Sequence, residues 1–269
     1  MNKVSDLTEI VNILENIKAS RGKLFTNFYL DRVKHGLWIK NAELFSEHCG
    51  DCDFLIRRCT CYESFFYFAG TLTGLRDGLA GFFRIYDNHL PLVADIVGFT
   101  NDPVKQVFNN AKFKLYRVLY RMSHVGAIQV DYHQDDNVVY ACVDDVHQIK
   151  KLLDVFFDAK AEQIPSVEEL VRFVSNNQIF VYKDNGKILG FLIYEINGLT
   201  LYLRYWFVLE ECRDRLIGSK LLKKFFYIGK DSKRQICWVI EDNVNAIERY
   251  MHYGLKAENL FDYVMIKND

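Results

Sequence analysis

The sequence is poor in proline and contains no long apolar run. Only 3 of its 269 residues are proline and 15 are glycine, so it has no Pro-rich linker and no low-complexity tail. No stretch approaches the roughly 18 uncharged apolar residues of a membrane-spanning helix. Residues 1–10 mix charged and apolar side chains and lack the apolar core of a signal peptide. We therefore expect a cytoplasmic protein that does not enter a membrane.

A surplus of charge of either sign is also missing. The chain has 34 Lys+Arg and 35 Asp+Glu, for a net charge of -1. This balance argues against a dominant electrostatic attraction to nucleic acid, although it leaves room for a local basic patch. The odd number of cysteines, 7, argues against a fully paired disulfide framework. A hydrophobic fraction of 50% with 26% charged residues is typical of a folded chain.

The length allows one large domain or two of ordinary size. The polar run from Asp131 to Asn137 is the clearest break near the middle, and a strand candidate follows it at once. The sequence therefore predicts two domains of similar length, over residues 1–133 and 134–269. It does not indicate the oligomeric state.

The second half carries clear signals for helices and strands. Ser166 and Glu169 have the spacing of a capping box, and Asn185-Gly186 has the composition of a type I′ hairpin turn. Together these signals predict a mixed α/β fold with a mostly antiparallel sheet flanked by helices. The predicted order is a strand at 138–143, helices at 146–156 and 167–174, strands at 178–183, 188–195 and 200–208, a helix at 217–227, a strand at 235–240, a helix capped by Asn243 or Asn245 and ended by Gly254, and a strand at 261–266.

The segment from Val208 to Lys220 ends a strand, turns through a short basic loop and begins a helix. Unpaired backbone N–H groups and the positive end of the helix dipole suit such a site to a pyrophosphate. Gly218 lets the backbone approach a ligand, while Arg213, Arg215 and Lys220 add positive charge. A solvated basic turn before an amphipathic helix is the alternative, and on this segment alone the two interpretations weigh about equally.

A later segment decides between them. Asn243, Ala246-Ile247, Tyr250 and Gly254-Leu255 have a spacing that resembles the GNAT N-acetyltransferase superfamily. The stretch Arg213–Gly218 is similar to that family's Arg/Gln-x-x-Gly-x-Gly/Ala motif. The resemblance covers about residues 138–267 and implies a GNAT fold that uses acetyl-CoA as co-substrate. Three positions depart from the pattern: Leu216 stands where the first motif Gly is usual, Glu210 replaces a common Pro, and Leu255 replaces Phe.

The resemblance also implies roles for individual residues. Tyr250 is the expected acid that protonates the coenzyme A thiolate, although a core aromatic on a helix face explains its position as well. Asn243 either binds the coenzyme or only caps its helix. Glu195 and Glu241 are the expected bases, with Glu210 and Glu211 as further candidates, and a solvated surface carboxylate is the alternative for each of the four. Tyr205, Trp206 and Trp238 line the acceptor pocket or belong to the core. The residues assigned to acetyl-CoA are Phe207, Val208, Arg213, Asp214, Arg215, Leu216, Ile217, Gly218, Ser219, Asn243 and Tyr250.

The first half has a similar succession of elements. Its patterns predict a helix over 7–17, strands at 54–58 and 64–69, a helix at 70–84, a strand at 91–98 and a helix at about 111–124. Leu115-Tyr116-Arg117 followed by Gly126 weakly resembles the Tyr-to-Gly motif of the second half. We therefore predict a degenerate second GNAT-like domain here, or an accessory α/β domain, without a pyrophosphate loop.

Four cysteines of the first half lie within 13 residues: Cys49, Cys52, Cys59 and Cys61. A zinc site is one interpretation of this C-x₂-C-x₆-C-x-C pattern. We favour the other, in which no metal is bound and the cysteines are small hydrophobic residues of a turn and a strand.

The sequence as a whole predicts an acetyl-CoA-dependent N-acetyltransferase that acts on a small amine or an amino-acid-like acceptor. Two alternatives remain. Some tandem-GNAT proteins transfer aminoacyl groups from charged tRNA, which the near-zero net charge argues against. A non-catalytic module that binds coenzyme A or a partner is the other, suggested by Leu216 in the coenzyme loop.

Overall fold

A computed structural model describes residues 1–21, 24–87, 90–100 and 102–268. The chain forms two compact units, Met1–Leu119 together with Leu260–Asp269, and Tyr120–Asn259. We call them the first and the second unit. The divisions between the units fall at residues 119/120 and 259/260. The predicted domain boundary stays a prediction.

Eight α-helices and thirteen strands are found in the described residues. No helix among them is long and apolar enough to cross a membrane. In chain order the elements are β1 (Asn2–Lys3), α1 (Leu7–Arg21), β2 (Phe25–Thr26), α2 (Arg32–Lys40), β3 (Leu44–Cys49), β4 (Cys52–Arg58), β5 (Glu63–Ala69), α3 (Leu72–Ile85), β6 (Leu92–Gly98), α4 (Pro103–Asn110), β7 (Lys114–Val125), β8 (Val138–Tyr140), α5 (Val146–Phe156), α6 (Val167–Ser175), β9 (Ile179–Asp184), β10 (Lys187–Asn197), β11 (Thr200–Val208), α7 (Ile217–Ile228), β12 (Arg234–Ile240), α8 (Val244–His252) and β13 (Lys256–Lys267).

The second unit is built on an antiparallel meander of β9, β10 and β11. The first turn of the meander has Asn185 at φ 50° and Gly186 at φ 78°, both in the left-handed region that a type I′ turn requires. Strand β8 pairs antiparallel with β9, and β12 runs parallel to β11. The prediction of a mixed α/β fold with a mostly antiparallel sheet flanked by helices is confirmed.

Local signals in the sequence position the helices of this unit. Ser166 and Glu169 form the predicted capping box at the start of α6, with the Ser166 side chain accepting from the Glu169 N–H at 3.2 Å. Gly254 has φ 91° and ends α8 as expected. Helix α7 lies close to β10 at Gly190, where a Cβ would come within 3.1 Å of Ile217 Cγ2 and 3.3 Å of Leu221 Cδ1 on α7. This glycine therefore fixes how closely the start of α7 approaches the sheet.

The first unit contains the same succession of elements. Strands β3, β4 and β5 form an antiparallel meander, β6 runs parallel to β5, and α3 connects them. The end of β13 pairs antiparallel with β6, from Phe261↔Gly98 to Lys267↔Leu92. Thr71 caps α3 by accepting from the Gly74 N–H at 3.0 Å, so a side chain already occupies the helix start. The arrangement supports a degenerate GNAT-like copy without a pyrophosphate loop.

The predicted helix at 111–124 is wrong, because this segment is strand β7 and the helix before it, α4, ends at Asn110. The apolar residues match helical spacing, yet the neighbours Val118 and Leu119 are both buried, as in a strand covered on both faces. Short apolar patterns do not separate these two cases. The similarity of Leu115-Tyr116-Arg117 to the Tyr-to-Gly motif is lost with the helix.

The cysteines of the first unit are free thiols. Cys49 and Cys52 are cross-strand partners at the β3–β4 hairpin, and burial raises the pKa of Cys52 to about 12. Cys61, by contrast, is exposed. Among the described residues, no group of three or more His, Cys, Asp or Glu side chains is placed to hold a metal ion. The buried thiols are packed as small hydrophobic residues.

Candidate functional site

The central feature of the second unit is a separation of two parallel strands. The ladder between β11 and β12 runs from Thr200↔Arg234 to Leu203↔Cys237, although β11 continues to Val208 and β12 to Ile240. On its other side β11 stays paired with β10 as far as Gly190↔Val208. Residues 204–208 therefore present backbone groups to an opening between the strands, where a ligand can pair with them. Phe207 and Val208 lie on this edge.

A β-bulge coincides with the start of the separation. The register between β10 and β11 shifts between Ile193↔Tyr205 and Tyr194↔Leu203, so Arg204 is the extra residue. Such a bulge bends its strand and increases the local twist, which directs the end of β11 away from β12. The Arg204 guanidinium lies 3.6 Å from the Glu195 carboxylate. This ion pair gives Glu195, one of the two expected bases, a partner of its own.

The helix start after β11 has the geometry of an anion site. A 3₁₀ turn over Glu210–Arg215 leads to Leu216, which has φ 57° and ψ 15°, and α7 begins at Ile217. Within the described part of the chain no side chain caps this helix. The first-turn N–H groups have no intrahelical acceptor, and the dipole makes this end positive. The side chain of Leu216 is 67% exposed, so it projects from the loop instead of packing into the helix.

Gly218, in the first turn of α7, lies directly against Trp206 on β11. A Cβ at Gly218 would come within 2.7 Å of Trp206 Cζ2, closer than real side chains allow. The Trp206 Nε1 is buried and has no hydrogen-bond partner among the described residues. An unpaired buried donor is costly, which marks this atom as one that a ligand can satisfy.

The basic side chains of the loop are less free than the sequence suggests. Arg215 pairs with Asp184 at 2.8 Å, and Lys220 pairs with Asp135 at 2.7 Å. Arg213 has only an exposed, loose pair with Glu210 at 3.8 Å. Of the remaining loop residues, Asp214 is exposed, and the Ser219 hydroxyl is 2.8 Å from the Tyr253 hydroxyl. Backbone donors and Arg213 therefore supply most of the attraction for an anion at this end of β11.

Tyr250 lies next to Trp206 of β11. It is buried on α8, and its ring centroid is 5.8 Å from that of Trp206. Burial holds the pKa of Tyr250 well above its usual value, with smaller contributions from Cys237 and Glu162. Because Cys237 is the last residue of the β11–β12 ladder, Tyr250 is near the point where the strands separate. It is a neutral phenol at physiological pH.

Glu162, whose carbonyl oxygen accepts from the Tyr205 hydroxyl of β11, is a further residue of the site that no sequence pattern selects. Its Oε2 accepts from the Asp158 N–H at 2.9 Å in the loop between α5 and α6. Burial raises the pKa of this carboxyl to about 7. The loop contains no recognisable motif, so only its folded position brings Glu162 near Tyr250.

The other predicted residues lie further from this point. Glu241 is exposed after the end of β12, and its carboxylate accepts from the Tyr120 hydroxyl at 3.5 Å. Glu210 and Glu211 are exposed in the 3₁₀ turn. Asn243 caps α8 by accepting from the Ala246 N–H at 3.3 Å, which is the simpler of its two predicted roles. The half-buried ring of Trp238 lies 5.9 Å from the Arg121 guanidinium.

A family model described as the acetyltransferase (GNAT) family matches residues 146–255. Within this segment the chain matches a GNAT-family domain. The matched segment includes the strand opening, the loop before α7 and Tyr250, and it ends at Leu255. A search of curated protein sequences found no significant match.

Solved structures with the same fold span most of the chain. A GNAT-family acetyltransferase from Colwellia psychrerythraea has a TM-score of 0.61 and 13% identity, covering 100% of this chain and 99% of its own. A GCN5-related N-acetyltransferase from Kribbella flavida has a TM-score of 0.58 and 8% identity, covering 88% and 94%. A tandem GNAT protein from the clavulanic acid biosynthesis pathway has a TM-score of 0.54 and 11% identity, covering 81% and 80%. At these identities the likeness shows the fold.

The Leu216→Gly variant tests the position at which the loop before α7 departs most clearly from the GNAT motif. A left-handed φ costs a residue with a Cβ about 1 kcal/mol in the folded state, and glycine avoids this cost. Glycine also makes the unfolded chain more flexible, which offsets part of the gain. We expect the free energy of unfolding to stay level or rise by up to about 1 kcal/mol. We also expect tighter coenzyme A binding, because the exposed side chain no longer covers the helix start.

Thermal denaturation and calorimetric titration with coenzyme A check both expectations. Leu216→Ala is the matched control, because it shortens the side chain but keeps the backbone strain. If Leu216→Gly and Leu216→Ala gain equal stability, the strain at this position is not what the φ angle indicates.

Proposed function

We propose that the protein is an acetyl-CoA-dependent N-acetyltransferase that acts on a small amine or an amino-acid-like acceptor. The observation that carries the proposal is the opening between β11 and β12, with an anion site at the start of α7 and Tyr250 beside Trp206. Val208 is five positions beyond Leu203, a span of roughly 17 Å along a strand. A long, narrow molecule with a phosphate at one end and a reactive group at the other fits this shape.

The residues around the opening suit each part of the coenzyme. The backbone of Phe207 and Val208 would pair with the amide groups of the pantetheine arm. The N–H groups from Leu216 to Ser219, with Arg213 beside them, would hold the pyrophosphate. Trp206 Nε1 offers a buried donor that has no partner in the part of the chain that the structure describes. Acetyl-CoA supplies the activated acyl group as a thioester, and the chain supplies the positioning and the proton transfers.

Tyr250 is the proposed acid. A thiolate leaves when an amine attacks the thioester, and a nearby phenol can give it a proton. Burial keeps the Tyr250 hydroxyl protonated at physiological pH, so the proton is present when the thiolate forms. Since Glu195 is paired with Arg204 and Glu241 lies beyond the open end of the strands, neither of these expected bases is favoured by its surroundings.

Transfer from a charged tRNA gains no support from the loop charges. Arg215 and Lys220 are both paired with carboxylates, and a polynucleotide requires an uncompensated basic surface. A small nucleotide-bearing coenzyme needs only the helix start and one or two cations. A non-catalytic module remains the competing interpretation of Leu216.

Two measurements test the proposal. Isothermal titration calorimetry measures coenzyme A binding, and thiol release from acetyl-CoA measures turnover across a panel of amines and amino acids. We expect binding and amine-dependent thiol release. Binding without turnover over the whole panel would support the non-catalytic module, and the absence of binding would overturn the proposal.

A further inference from the structure

Glu162 lies in the loop that joins α5 and α6, and this loop is attached to the strand that opens. The Tyr205 hydroxyl, on β11, lies 2.7 Å from the Glu162 carbonyl oxygen and 2.9 Å from that of Gln163, and donates to them. Tyr205 is two residues beyond the last ladder pair of β11. The loop is therefore fixed to β11 at the point where the parallel strands separate.

The backbone of the loop directs the Glu162 carboxylate. The Glu162 N–H donates to the Asp158 carbonyl oxygen at 2.8 Å, and the Asp158 N–H donates to Glu162 Oε2 at 2.9 Å. Gln163 follows with φ 47°, a left-handed conformation that a side chain rarely adopts. A residue held in this region by its surroundings is frequent at functional sites. One carboxylate oxygen is thus fixed, while Oε1 has no hydrogen-bond partner within the described residues.

On the proposed function, we propose that Glu162 is the base that deprotonates the acceptor amine, opposite Tyr250 as the acid. Both residues lie next to the opened part of β11: the Glu162 carbonyl oxygen accepts from the Tyr205 hydroxyl, and the Tyr250 ring lies beside Trp206. The titratable groups that face Glu162 are Asp158 on its own loop, Tyr205 on β11 and Tyr250 on α8. Among the described residues no basic side chain is paired with Glu162, so its carboxylate is available to a cationic acceptor.

The proton balance is complete with these two residues and solvent. Glu162 takes one proton from the ammonium form of the acceptor, and the nitrogen lone pair forms a bond to the thioester carbonyl carbon. Tyr250 gives its proton to the leaving sulfur as the carbon–sulfur bond breaks. The nitrogen then loses its second proton to solvent, and Glu162 and Tyr250 return to their starting states by exchange with water. An ammonium and a thioester give an amide, a thiol and one proton.

Burial raises the pKa of Glu162 from 4.5 to about 7, which suits a base that works near neutral pH. The same shift has a consequence for stability that needs no substrate. A raised pKa means that folding favours the protonated form, so this contribution is present below pH 4.5 and is lost as the pH rises to about 7. The Glu162→Gln variant keeps an acceptor for the Asp158 N–H but cannot ionise. It should therefore not lose this stability as the pH rises.

The experiment combines this stability readout with kinetics. For Glu162→Gln we expect a Tm close to that of wild type at pH 4.5 and increasingly above it between pH 5 and pH 8. With the best amine of the panel at neutral pH, we expect kcat/KM to fall roughly 100-fold and to lose the wild-type inflection near pH 7. Coenzyme A affinity should not change. Glu168→Gln, on an exposed side chain of α6, is the matched control and should keep wild-type values.

The possible results separate the two proposals. If wild type transfers acetyl groups and Glu162→Gln matches it in rate and pH profile, the assignment of Glu162 is overturned and the proposed function stands. If wild type transfers to no amine, both fall. If the Tm difference between Glu162→Gln and wild type is the same at all pH values, Glu162 is not in the buried environment described here. Tyr205→Phe should also lower kcat/KM while Glu162 remains, because that loop then loses its attachment to β11.

Discussion

Replacing Tyr250 by Phe should reduce kcat roughly 100-fold and leave coenzyme A binding unchanged. The phenol is the proposed source of the proton for the leaving thiolate, and proton transfer by a positioned side chain contributes about 100-fold or more. Its ring also packs 5.8 Å from Trp206, and Phe preserves that contact. The loss should therefore be confined to the chemical step. Steady-state thiol release and calorimetric titration with coenzyme A measure the two quantities.

Tyr227→Phe is the matched control for this substitution. Tyr227 is 48% exposed on α7, so removing its hydroxyl should change neither rate nor affinity. A Tyr250→Phe enzyme with the wild-type kcat would show that water or another group protonates the thiolate. Tyr250 would then be a core aromatic, the other role that its position on a helix face allows.

The Gly218→Ala variant should weaken coenzyme A binding about tenfold. Its Cβ would lie within 2.7 Å of Trp206 Cζ2, so the helix start or the indole must move. Overpacking of this kind costs about 1–3 kcal/mol of stability. If the displaced N–H groups lose about 1.4 kcal/mol of their interaction with the pyrophosphate, the affinity falls tenfold. The first-turn N–H groups that face the pyrophosphate are the ones that shift. Calorimetry measures the affinity and thermal denaturation the stability.

A double-mutant cycle identifies the cause. In a Trp206→Phe background the smaller ring leaves room for the new Cβ, so Gly218→Ala should cost much less than it does alone. Gly36→Ala is the control for a glycine in a helix, because nothing lies within 4 Å of its added Cβ. An equal loss of affinity in both backgrounds would mean that the contact with Trp206 does not position the helix start.

Much of the second unit could be predicted from the sequence because its signals are local. The Asn185-Gly186 turn, the Ser166–Glu169 capping box and Gly254 each act within a few residues, and the structure confirms all three. Strand β7 was misassigned because its conformation depends on neighbours that are distant in sequence. The pairing of the end of β13 with β6 in the first unit also joins residues that are distant in sequence, so the local pattern could not predict it.

In the candidate site, too, the residues that could be predicted belong to local motifs, and the others are placed by tertiary contacts. The loop before α7 and Tyr250 could be selected because their spacing resembles a family motif, and their roles stay predictions. The ion pairs of Arg215 with Asp184 and of Lys220 with Asp135 join residues that are far apart in the sequence. Glu162 has no motif around it, and only the Tyr205 hydrogen bonds place it at the opening. Residues whose role depends on tertiary contacts were therefore the ones that the sequence missed.

The central claim is that coenzyme A lies along the opening between β11 and β12 with its sulfur at Tyr250. A crystal structure of the protein with coenzyme A bound tests it most directly. We predict the pyrophosphate on the N–H groups at the start of α7 and the pantetheine arm paired with Phe207 and Val208. The sulfur should lie within about 3.5–4 Å of the Tyr250 hydroxyl. A coenzyme bound elsewhere, or one whose sulfur points away from Tyr250, would contradict the account.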